Sequence, residues 1–127
     1  MEKQIINTKK APKAIGPYSQ GVKIGDFLFV SGQLPINPAN GELLTNNIQE
    51  ETKQSLENLK AIVEEAGVSF SNIVKTTIFI KDMNQFSLIN EIYAQYFPGN
   101  PPARSCVEVA RLPKDANIEI EAVVYIG

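Results

Sequence analysis

The chain has 127 residues, the size of one domain and too few for two that each bury a core, so residues 1–127 are expected to fold as one unit. Hydrophobic residues make up 43% and charged residues 20%, a globular balance that excludes the disordered and low-complexity classes. With 12 basic and 14 acidic residues the net charge is −2, and one cysteine with no histidine excludes an internal disulfide, HExxH zinc sites and Ser-His-Asp or Cys-His nucleophile systems.

Residues Lys3 to Thr8 read as a first strand, followed by a loop punctuated by Pro12, Gly16, Pro17 and Gly21. Val22 and Ile24 lead into Gly25-Asp26 and then Phe27 to Val30, a two-residue loop with glycine first that predicts a type II′ hairpin. Asn47 is placed to cap a helix starting at Ile48, with Glu50 as the reciprocal partner of a capping box. Leu56, Leu59, Ile62, Val63 and Ala66 recur at three-to-four spacing, and Gly67 supplies the stop.

Val74 to Ile80 is rich in β-branched residues and reads as a strand. A second helix is expected over Gln85 to Tyr96, with Phe86, Ile89, Tyr93 and Phe97 near one face and Pro98, Pro101 and Pro102 ending it. Two last strands, Ala103 to Val109 and Ile118 to Tyr125, flank the segment ARLPKDAN. Their alternation groups Arg104, Cys106 and Glu108 on one face, and Glu119, Glu121 and Tyr125 on one face of the other strand. Val107, Val109, Ile118, Ile120 and Val124 are expected to meet the helices. The order βββαβαββ implies an α+β domain with its helices on one side of the sheet.

Seven positions stand out chemically. Arg104 follows a proline-stiffened entry, so its fork suits a substrate carboxylate as well as an ordinary ion pair. Glu119, between two isoleucines, is either a general base or a solvent-facing strand carboxylate. Cys106 is a small buried side chain or a site thiol, and Tyr18 packs or offers its hydroxyl. At Ser31-Gly32 the glycine allows close backbone approach or marks a bulge, and Asn90 reads as a helix amide. Phosphate-binding glycine motifs, calcium loops and zinc spacings are absent from the sequence.

The segments AIGPYSQG, SGQLPINP, TKQSLENLKAIVEEAG, IVKTTIFIKDM and PPARSCVEVARLPKDANIEIEA resemble the RidA family, also called the YjgF or reactive intermediate deaminase family, through nearly the whole chain. The resemblance implies a chorismate-mutase-like α+β fold, a six-stranded mixed sheet with two helices on one face. It also implies a homotrimer with a central barrel and one site in each cleft between subunits. The implied activity is hydrolysis of 2-imino acids such as 2-iminobutanoate and 2-iminopropanoate to 2-oxo acids and ammonia, without metal or cofactor. Pyridoxal-phosphate dehydratases would supply those imines. Residue by residue, the resemblance assigns catalysis to Arg104 and Glu119, and substrate binding to Tyr18, Ser31, Gly32, Asn90, Arg104 and Cys106.

Two rival functions are carried alongside. One is a small-ligand-binding regulator or chaperone-like protein using the same cleft, and the other an endoribonuclease that inhibits translation. The acidic balance, the missing histidine and the lack of a Lys/Arg block argue against gripping nucleic acid. No stretch approaches the ~18 apolar residues of a membrane span. The lone cysteine suits a reducing compartment, so a cytoplasmic location is the expectation.

Overall fold

A computed structural model describes residues 2–127. Its elements are β1 (Gln4–Ile6), β2 (Gly21–Ile24), β3 (Phe27–Gln33), α1 (Ile48–Glu65), β4 (Ile73–Ile80), α2 (Phe86–Tyr96), β5 (Ala103–Glu108) and β6 (Ile118–Tyr125). They form one six-stranded mixed sheet in the order β1-β2-β3-β6-β4-β5. Only β4 and β5 run parallel, which requires a crossover, and α2 provides it.

The alternation in β6 sets the layers. Ile118, Ile120, Ala122 and Val124 are buried against the helices, while Glu121 and Tyr125 stand exposed on the other face. Thr76, Ile78 and Ile80 of β4 and Leu28 and Val30 of β3 extend the same buried layer. From above, α1 closes it with Leu56, Leu59, Ile62 and Val63, each fully buried, which stabilises the fold by about 2 kcal/mol per side chain. Gly67, at φ +88°, takes the left-handed conformation that stops the helix.

The hairpin forms as expected: Ile24 pairs with Phe27, and Gly25 has φ +56° while Asp26 does not enter the left-handed region. Three expectations need correction. The first strand is limited to Gln4–Ile6, because the Thr8 N–H donates to the Gln20 side chain at 2.7 Å rather than to a neighbouring strand. Asn47 does cap α1, accepting from the Gln49 and Glu50 N–H groups, but the carboxylate that returns to the Asn47 N–H belongs to Glu51, at 3.0 Å. Glu51 is buried and also accepts from Asn117 Nδ2 at 2.8 Å, tying the start of α1 to the start of β6.

The third correction bears on function. Parallel pairing sets Arg104 beside Thr76 and Cys106 beside Ile78, so Arg104 and Cys106 lie on the helix face of the sheet. Glu108 is turned the same way, accepting from the Met83 N–H before α2. Val107, expected to meet the helices, pairs with Phe79 instead and is exposed on the open face. Alternation along an edge strand gives the period, but its phase is set by pairing with β4. Among the described residues, no helix is long and apolar enough to cross a membrane.

Candidate functional site

Two groups gather the seven singled-out positions, and they lie on opposite faces of the sheet. The first surrounds a cleft of about 690 Å³ where β3 ends and β6 begins, lined by Tyr18, Ser31, Gly32 and Glu119 together with Lys13 and Lys114. The register shift between Val30 and Gln33 makes Ser31-Gly32 a β-bulge, the alternative that the sequence left open. Ser31 Oγ donates to the Ser19 carbonyl, and the Ser31 N–H donates to the Gln20 carbonyl at 2.9 Å. Those bonds anchor the loop that carries Tyr18, whose side chain is exposed and free to cover a ligand.

Glu119 pairs across the sheet with Phe79, pointing away from the core as its place between two isoleucines predicts. Partial burial pushes its carboxyl above the ordinary carboxylate range, and the neighbouring Glu121 charge adds to the effect. A carboxylate so raised is a better proton acceptor than an exposed glutamate, which is what a general base needs.

The second group is built on α2 and the start of β5. Arg104 Nη1 donates to Asn90 Oδ1 at 2.6 Å. Its guanidinium lies 4.9 Å from the centre of the Tyr93 ring and 5.3 Å from that of Phe86. Tyr93 is in turn fixed by a 2.6 Å hydrogen bond between its hydroxyl and Thr76 Oγ1. Among the described residues no carboxylate forms a salt bridge with Arg104, so its fork is oriented by an amide and two rings and keeps its charge for a ligand. Burial pushes the Cys106 thiol up, with Arg104 opposing weakly, so the thiol stays protonated near neutral pH and is poorly suited to nucleophilic attack.

Phe86, Tyr93 and Thr76 were not singled out as site residues. The signal was present: Phe86, Asn90 and Tyr93 follow one another at spacings of four and three, one stripe of a helix. Among the described residues, no group of three or more His, Cys, Asp or Glu side chains is placed to hold a metal ion.

A small α+β protein with a carboxylate cleft on one sheet face and a preoriented arginine on the other is the class this geometry defines. The family model described as Endoribonuclease L-PSP matches residues 8–126. A RutC family protein of Pyrococcus abyssi is 54% identical over 98% of both chains. The Escherichia coli protein named "Putative reactive intermediate deaminase TdcF" is 52% identical over 95% of both. The crystal structure of E. coli TdcF with bound serine superposes with a TM-score of 0.94 at 50% identity, covering 98% of this chain and 99% of that one. The chain belongs to the RidA family, whose members include the RutC and TdcF proteins.

Proposed function

We propose that this protein hydrolyses 2-imino acids such as 2-iminobutanoate and 2-iminopropanoate to 2-oxo acids and ammonia, at sites shared between the subunits of a homotrimer. The observation that carries the reading is that the chain holds both an unneutralised, preoriented Arg104 and, on the other sheet face, a half-buried Glu119 of raised pKa. The family membership and the deaminase name of the E. coli relative support it.

The two groups occupy opposite faces of one sheet, so a single chain does not direct both at one small substrate. A second copy resolves this, supplying Arg104 to the cleft that holds Glu119. The open face offers the means of association: Phe27, Phe29, Val107 and Tyr125 are all exposed, and Phe27 stacks edge-on with Tyr125 at 5.8 Å.

In this site Arg104 grips the substrate carboxylate through two hydrogen bonds and fixes the imine carbon beside a water at Glu119. Glu119 takes a proton as the water oxygen bonds to that carbon and the C=N π electrons pass to nitrogen. It returns that proton to the nitrogen, then takes the hydroxyl proton as C=O forms and the C–N bond breaks, and ammonia leaves. The 2-oxo acid remains. Tyr18 closes the cleft, and backbone groups near Gly32 orient the nitrogen. A protonated imine is already electrophilic, so positioning and one carboxylate suffice.

A pyridoxal-phosphate dehydratase acting on threonine or serine, with semicarbazide to trap the released imine, tests the reading. The native protein should suppress the trapped product, and Arg104→Ala should not. Equal trapping with and without native protein overturns the assignment, and if 2-oxo acids still bind, the cleft is that of a ligand-binding regulator.

A further inference from the structure

The bulge in β3 sets Ser31 and Gly32 against a single residue of β6, between the pairs Val30–Ala122 and Gln33–Ile120. A β-carbon added at Gly32 would lie 2.7 Å from Cδ, 2.8 Å from Cγ and 2.8 Å from Oε2 of Glu119, so any side chain there would make the Glu119 side chain swing aside. The glycines with left-handed backbones are Gly16, Gly25, Gly41 and Gly67, so position 32 is marked by the Glu119 side chain against it rather than by a special φ. The Glu119 side chain therefore lies down over the Gly32 backbone. Ser31 is equally committed, its hydroxyl donating to the Ser19 carbonyl beside Tyr18.

We propose that Ser31 and Gly32 are positioning residues: Gly32 seats the Glu119 carboxylate and Ser31 fixes the Tyr18 loop, so the bulge aligns two walls of the cleft. This rests on the reading of Glu119 as the general base, but the seat itself can be tested without any reaction. Thermal unfolding of Gly32→Ala, Glu119→Ala and the double variant forms a cycle that reads the contact directly. Gly32→Ala should shift Tm at pH 7 by displacing the Glu119 side chain, and the same substitution in the Glu119→Ala background should shift it much less. Additive shifts overturn the proposal. If Gly32→Ala alone does not fold, recovery of a folded protein in the double variant demonstrates the same contact, and failure of both overturns the seat.

The catalytic arm uses the imine assay across pH. Gly32→Ala should lower kcat about tenfold or more and move the acidic limb of kcat/KM to lower pH, because the carboxylate is driven out toward water. A rise in KM with an unmoved limb would instead mean that the new methyl group only blocks substrate, and would overturn the positioning role. Ser31→Ala should raise KM several-fold by releasing the Tyr18 loop, and an unchanged KM would remove Ser31 from it. If the native protein turns over no imine while the Tm coupling holds, the functional reading fails and the seat stands.

Discussion

Arg104 and Glu119 owe their chemistry to what touches them rather than to residue type. An arginine beside a carboxylate is neutralised; here Asn90 and the faces of Phe86 and Tyr93 orient the fork without cancelling its charge. Replacing Tyr93 with leucine removes one ring and the bond to Thr76, so KM for the imine should rise about tenfold, measured in the coupled assay. Glu119 makes a prediction through linkage. Its folded pKa is raised, so the folded state binds more protons than the unfolded one in the interval above the ordinary carboxylate value, and stability falls as pH rises through that interval. Glu119→Gln should therefore raise Tm at pH 7, with the difference disappearing below the ordinary value of about 4.3, while abolishing turnover. A Tm unchanged at pH 7 would mean that the carboxyl is not held high.

Each element was legible in proportion to how local its determinants are. The helix over Ile48–Glu65 and the II′ hairpin depend on a cap, a repeat and a glycine, all close in sequence, and both form as read. The capping partner was misplaced by one position. Glu50 and Glu51 are both in reach of the cap, and the choice is made by Asn117, 66 residues away, which holds the Glu51 carboxylate. Substitutions should separate them: Asn47→Ala costs about 1 kcal/mol and Glu51→Ala about 2 kcal/mol or more, because two part-buried donors lose their acceptor. Glu50→Ala should cost less than about 0.5 kcal/mol, and urea unfolding measures all three. The faces of β5 failed for the same reason. Val107 and Cys106 alternate in any register, and only the parallel pairing with β4 decides which one meets the core. That error mattered for the site, since it hid the contact of Arg104 with α2.

At the scale of the molecule, the open sheet face carries an aromatic cluster with Phe29 47% and Tyr125 44% exposed, more apolar surface than a half-solvated sheet ordinarily shows. Association through this face should give a trimer in analytical ultracentrifugation, and Phe29→Glu should dissociate it with loss of imine turnover but retention of helical circular dichroism. A single sequence could supply the candidate residues, but not the fact that they divide between the two faces of a sheet. The measurement that goes most directly to the shared site is complementation. Arg104→Ala and Glu119→Gln chains, each inactive alone, are unfolded together, refolded as a mixture and assayed for imine hydrolysis. If Arg104 of one copy serves Glu119 of the next, about one site in four regains both groups, and activity should return to about a quarter of the native level. A mixture that forms hybrid trimers by mass spectrometry and yet remains inactive would contradict the account.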